Sequence, residues 1–379
     1  MALTISGFNI TGNLTAVHII PPPPPEYYLW AWGGNNNGRL GLGNTSGYSS
    51  PKQVGSLTNW LSIGVGVQHG VAIKTDGTMW SWGNNYRGRL GLGNITNYSS
   101  PKQIGALTSW SKISAGYYHN LAIKTDGTMW GWGFNEYTDA AALGLGDISN
   151  RSSPTQIGAL TTWAQVSAAK GLHSAAIKTD GTMWSWGGNY AGRLGLGDPG
   201  TIHRSSPVQV GALTTWSQTS AGERHRIALQ TNGTMWAWGQ NSYSQLGDST
   251  TTDRSSPVQV GSGYNSISSG SKHNLAITTD GYLRAWGHNQ YGKLGVNDTT
   301  NRQNPTGIGF ETWSSISAGD SHSLAVKTDG TLWSWGSGEY SQLGLGSTTH
   351  RSSPVQVGAL TNWLRVSAGL YHSMAIIEE

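Results

Sequence analysis

Seven histidines recur at a near-constant interval: His69, His119, His173, His225, His273, His322 and His372. Imidazole is the commonest metal-binding side chain and the one that titrates nearest neutrality, so a metal centre is the first chemistry to weigh. Zinc needs its ligand atoms about 2.0–2.1 Å from one point. Side chains that occur once per unit of a rotationally repeated structure are spread round an axis and cannot converge so closely. The expectation is structural histidines, each ring hydrogen-bonded within its own unit, with no metal and no cofactor. His18, His203, His288 and His350 fall outside the series and receive no role.

The carboxylates make no stronger case for catalysis. Asp76, Asp126, Asp180, Asp280 and Asp329 each precede a glycine, as does Asn232, and a tight turn accounts for them. Glu136, Asp139 and Asp147 share one loop region. A shared loop does not fix the spacing that general acid–base work needs, and a solvated loop is expected. Neither a Gly-x-Ser-x-Gly elbow, nor a phosphate-binding loop, nor His-Glu-x-x-His occurs in the sequence. The chain reads as a binding protein and not as an enzyme.

The repeated cations are less bland. Arg39, Arg89 and Arg193 share a Gly-Arg-Leu-Gly position, where Lys293 is equivalent; Arg151, Arg204, Arg254 and Arg351 precede Ser-Ser-Pro. Repetition should set each group in a ring at one height. Either their stems cover exposed tryptophan while the charged heads stay in water, or they form a mildly basic loop zone for an anionic partner. The first reading is favoured.

What must position these side chains is legible from the periodicity. The second Trp of a Trp-x-Trp-Gly string falls at Trp32, Trp82, Trp132, Trp186, Trp238, Trp286 and Trp335, at spacings of 48 to 54 residues. An Asp-Gly pair between two apolar runs, as in residues 69–83, is a strong hairpin signal. A strand through residues 60–66 precedes that hairpin, and a short one near Gln53–Gly55 makes a fourth. Four short strands per unit of roughly 50 residues is the blade of a β-propeller. The small Ser-Ala-Gly stretch before each histidine belongs near the axis, where blades crowd. Arg284 replaces the first Trp of one unit, so that position should be peripheral and partly wet.

The last unit ends after residue 377 without its Trp-x-Trp arm, and residues 27–33, YYLWAWG, supply that missing arm at the other end. Residues 27–379 are therefore expected to form a closed, all-β, seven-bladed propeller of four-stranded antiparallel blades, its ring closed by strand 27–33. Closure removes exposed sheet edges.

The string WGNNYRGRLGLG at residues 82–93, then Ser-Pro-x-Gln, then Ser-Ala-Gly-x-x-His, resembles the regulator-of-chromosome-condensation repeat over residues 27–377. The resemblance implies the same seven-bladed fold. It implies no single function, because the family includes a nuclear exchange factor, ligase and kinase accessory domains and a secreted inhibitor. Guanine-nucleotide exchange is the least favoured role. The N-terminal segment carries no Lys or Arg, and the largest loop expansion, Phe134–Ala142, adds three residues.

Composition narrows the partners. Charged residues are 11% of the 379, the formal net charge is +4, Cys is absent, and Trp numbers 19 against 3 Phe. Without a run of Lys and Arg, nucleic acid is not expected as a partner, and without a segment of about 20 apolar residues neither is membrane insertion. Residues 1–20 lie outside the repeats as an arm, and residues 21–26, with five prolines, read as a stiff spacer. Ile5, Phe8, Leu14, Val17, Ile19 and Ile20 are expected to dock the arm on another structural protein. The propeller would then be displayed, as on a phage virion, toward a host-surface glycan or protein. The alternative is a free interaction propeller, extracellular or cytoplasmic: a secreted inhibitor or intracellular scaffold.

Overall fold

The computed structural model describes residues 24–136, 141–198, 200 and 202–379. These form seven four-stranded antiparallel units arranged as blades. Blade 1 consists of Trp60–Val65, His69–Lys74, Met79–Gly83 and Tyr98–Gln103, in order from axis to rim. Blades 2 to 6 repeat this pattern from Trp110, Trp163, Trp216, Tyr264 and Trp313, and blade 7 starts at Trp363. A single strand, Arg302–Ala318, serves as the outer strand of blade 5 and the inner strand of blade 6.

The chain ends meet in blade 7. Tyr27–Gly33 pairs residue for residue with His372–Glu378, from Tyr27 opposite Glu378 to Gly33 opposite His372. The closing strand thus lies where residues 27–33 were expected, between the C-terminal strand and Tyr48–Gln53. Each outer strand lies a few residues earlier than the one expected near Gln53–Gly55, because it includes the Ser-Ser-Pro segment. Proline is tolerated there because an outer strand needs ladder bonds on one side only.

Packing between blades explains the sequence pattern. The second Trp of every unit has no exposed surface. Its indole N–H crosses to the preceding blade: Trp82 Nε1 donates to Arg39 O at 3.0 Å, Trp186 to Ala142 O at 2.9 Å and Trp335 to Lys293 O at 2.9 Å. Trp32 Nε1 reaches Gln342 O at 2.9 Å, so the series continues through the closing blade. A glycine two residues beyond each of these carbonyls is obligatory on two counts. Gly144 has φ +73°, and a Cβ there would lie 2.6 Å from Trp186 Nε1.

The first Trp is half-buried, as expected from its replacement by Arg284. In four blades its indole ends a short relay, as where Trp80 Nε1 donates to Thr78 Oγ1 and Thr78 Oγ1 donates to Asp76 Oδ1, at 2.9 and 2.6 Å. Trp60 lies edge-on to Trp80 and Trp82, with centroids 6.3 and 6.1 Å away. Such edge-to-face pairs add to the area each ring buries. Apolar positions of both strands in the hairpin complete a core that continues from blade to blade.

Candidate interaction face

Strand direction divides the connections between two faces. The Asp-Gly turns and the outer-to-inner links lie on one, called here the hairpin face. The links that follow Trp-x-Trp-Gly and those that precede each histidine lie on the other. On this second face an open groove of about 1120 Å³ is lined by Tyr86, Arg87, Tyr118, Phe134, Lys170, Tyr190 and Arg224, among others. Tyr86 and Tyr190 are more than a third exposed. Arg87 stacks within 5.2 Å of the Tyr86 ring and pairs with Glu136 at 2.9 Å.

At the axial end of the groove, charged side chains span the molecule. Tyr117 Oη donates to Asp320 Oδ1 at 2.6 Å, joining blade 2 to blade 6. Lys170 Nζ donates to Ala318 O at 2.5 Å, joining blade 3 to blade 6. Burial lowers the Lys170 pKa to about 7, against the raising charge of Asp320. Burial also raises the Asp320 pKa, but hydrogen bonds from Tyr117 and Ser321 and the charges of Lys170 and Lys293 outweigh it, and the net shift is downward. Tyr117 is pushed well up by burial and by Asp320.

Lys170 was not singled out from the sequence, although a signal existed. Three residues, Lys170-Gly171-Leu172, stand where Tyr117-Tyr118 and Glu223-Arg224 are two. The extra residue drives Leu172 to φ +46°, a conformation costly for a branched side chain.

The two arginine series separate. Arg39, Arg89 and Arg193 do not keep their heads in water: they are 2%, 2% and 4% exposed. Their guanidinium groups stack on Tyr371, Tyr118 and Tyr190, and each Nε donates to a local carbonyl. Burial lowers each pKa to about 10. The half-exposed tryptophans are covered by lysines instead, with Lys74, Lys124, Lys178 and Lys327 at 4.0, 3.7, 4.0 and 4.0 Å from the Trp80, Trp130, Trp184 and Trp333 centroids. The hairpin brings each lysine beside the first Trp, whereas the Gly-Arg-Leu-Gly link turns inward. Arg151, Arg204 and Arg254 pair with Asp147, Asp198 and Asp248 at 2.5, 3.1 and 2.9 Å. In blade 6 Ser347 stands at the corresponding acidic position, and Arg351 Nε has no protein partner among the described residues. The arm residues Ile5, Phe8, Leu14, Val17, Ile19 and Ile20 lie outside the described residues.

The seven histidines are fully buried and spread round the ring, and among the described residues no His, Asp and Glu group could hold a metal. Five of them bond to the next blade, which presents the residue after its own histidine, while His173 Nδ1 meets Gly171 O within its own blade at 3.0 Å, as expected. His69 Nε2 meets Asn120 Oδ1, His119 meets Ser174 Oγ, and His322 meets Ser373 Oγ, each at 2.9 Å. The carboxylates do not converge either: Glu136 is held by Arg87 and Asp147 by Arg151, while Asp139 is outside the described residues.

The RCC1-like domain profile matches residues 159–379, and the regulator of chromosome condensation repeat matches residues 28–73, 76–123 and 126–177. The chain belongs to the RCC1-repeat family. The ultraviolet-B receptor UVR8 of Arabidopsis thaliana is 33% identical over 222 residues, 57% of this chain and 50% of the receptor. The RCC2 homologue of Xenopus laevis is 34% identical over 110 residues, 28% of this chain and 21% of that protein. The chain therefore spans half or less of these curated relatives. The crystal structure of Prp20p from Saccharomyces cerevisiae, described with its binding to Gsp1p and histones, superposes with a TM-score of 0.81. It covers 93% of this chain and 91% of its own at 22% identity, which shows a shared fold. Membership in this family of RCC1-like propellers supports a protein-interaction role.

Proposed function

We propose that this RCC1-repeat propeller is a non-enzymatic interaction module that grips a partner protein in the aromatic groove across blades 1 to 4. The groove itself carries the reading. Tyr86, Tyr118 and Tyr190 offer broad, rigid rings, and Arg87 and Arg224 stand beside them; Tyr and Arg are the residue types enriched at interface hot spots. Its relatives favour this free-module reading over the virion protein expected from the arm. The test is calorimetry with a partner identified by crosslinking in the native source. Tyr86→Ala combined with Tyr118→Ala should weaken binding at least tenfold while leaving the melting temperature within a few degrees. Unchanged affinity would remove the groove from the interaction.

The displayed-propeller reading keeps one observation in its favour. Tyr27 N donates to Thr58 O at 2.7 Å, so the arm joins the propeller on the hairpin face, opposite the groove. Leu57, Leu107, Leu160, Leu213 and Leu360 are 41–48% exposed on that face. An arm anchored there leaves the groove free for a second partner, a host-surface glycan or protein in the virion case.

A further inference from the structure

The axis of the propeller is a cavity of about 210 Å³, in which Lys170 is the only charged lining residue among the described residues. One repeat position dominates its wall: Ser114, Ser167, Ser220, Ser268, Ser317 and Ser367, with Gly64 in blade 1. Four of these hydroxyl oxygens accept a backbone N–H from the next blade. Ala168 N donates to Ser114, Ser269 N to Ser220, Ala318 N to Ser268 and Ala368 N to Ser317, at 2.9, 2.9, 3.0 and 2.9 Å. A hydroxyl that accepts in this way still has a proton to donate, and none of the four finds a protein acceptor among the described residues. Ser167 is only 7% exposed, and its hydroxyl makes no hydrogen bond to the described residues. The result is a ring of hydroxyls at one height whose protons have no acceptor among the described residues.

The ammonium stands at the mouth of that ring. Lys170 Nζ is bonded to the carbonyl of Ala318, the residue after Ser317. Asp320 lies two residues farther from the shaft, and its carboxylate is taken up by Tyr117 and Ser321. The carboxylate is thus engaged outside the shaft, and the side chains of the wall present hydroxyl donors and one cation, while the carbonyls of Ala318 and Ser220 are already taken by Lys170 and Ser269. We propose that the shaft binds a small tetrahedral oxyanion, such as inorganic phosphate or sulfate, between Lys170 Nζ and the serine hydroxyls. Several acceptor oxygens on one centre suit several hydroxyls on one ring better than a single-atom anion does. A bound anion also offsets the burial that holds the Lys170 pKa near 7.

This site shares Lys170 with the groove but none of the tyrosines that carry the groove reading, so either can fail alone. The test is calorimetric titration of the whole chain with inorganic phosphate and with sulfate, against chloride at equal ionic strength. Saturable binding of one oxyanion per chain is expected, weakened at least tenfold in Lys170→Met and in the pair Ser268→Ala and Ser317→Ala. Crystals soaked in selenate should show an anomalous peak on the axis beside Lys170. Equal binding by Lys170→Met, no heat beyond the chloride control, or a shaft without selenium would overturn the proposal. A circular dichroism melt of each variant separates lost binding from lost fold.

Discussion

Each buried histidine is a proton acceptor that folding disables. Burial lowers the pKa of His69 and His322 to about 3 and of His119 and His225 to about 4. His173, His273 and His372 fall well below the ordinary value for the same first cause. The unfolded chain protonates these rings near pH 6.5, and the folded one does not. Stability is therefore fully present above pH 6.5 and is lost as pH falls toward the folded values, by ~1.4 kcal/mol per histidine per pH unit. Melting temperature should drop steeply between pH 6.5 and 4. His119→Asn should lessen proton uptake on unfolding at pH 5 by about one proton. A melting temperature flat across that window would contradict the burial argument. Arg226 gives a second prediction at this scale. It is fully buried where Asn120 and Asn274 stand in other blades, its Nε and Nη2 lack protein partners, and so does His173 Nε2. Arg226→Asn should restore the bond that His69 and His225 make to those asparagines. Removing a buried unpaired cation should stabilise the chain by about 1–3 kcal/mol in urea unfolding; a loss of stability would show that Arg226 is satisfied by another group.

The blades repeat, but their interfaces are not equal. Six histidines have a polar side chain opposite them in the next blade, whereas His372 faces Gly70 and neither of its ring nitrogens has a protein partner. The junction of blades 7 and 1 therefore lacks a link that most junctions have. Ring closure depends on Tyr27–Gly33, whose two neighbours would otherwise present unpaired edges. Deleting residues 27–33 should cause aggregation, or replace the single melting transition with a broad one, in scanning calorimetry. A cooperative transition at the original temperature would mean that the ring does not need that strand. The strand is legible in the sequence because the chain ends carry complementary fractions of a repeat. The missing histidine link was not, since it pairs residues about fifty apart whose identities vary from blade to blade.

For the whole molecule, the test is whether the propeller folds without the arm. The ring is closed without residues 1–25; just ahead of the closing strand, Glu26 pairs with the Glu379 backbone and accepts from the Tyr28 hydroxyl, and Tyr27 N at the strand's start donates to Thr58 O. Removing residues 1–25 should leave the melting temperature within about 2 °C, since surface changes usually alter stability by less than ~0.5 kcal/mol. If the arm mounts the protein on an assembly, sedimentation should show the truncated chain folded but unassembled. Normal assembly by the truncated chain would leave the groove as the sole interaction surface.

Repeat number, blade composition, ring closure and the placing of small residues near the axis were all determined by the sequence, because each is fixed by local periodicity and by turn chemistry. The candidate site was not. Tyr117, Lys170 and Asp320 come from three blades and meet only because closure brings their loops to one axis. The arginines at the Gly-Arg-Leu-Gly position are alike in sequence to a solvated ring, yet the inward turn of their link buries them against tyrosines. Periodicity tells which residues are equivalent. Which groups face one another across the axis, and which charges lose their water, is decided by the curvature of the closed ring.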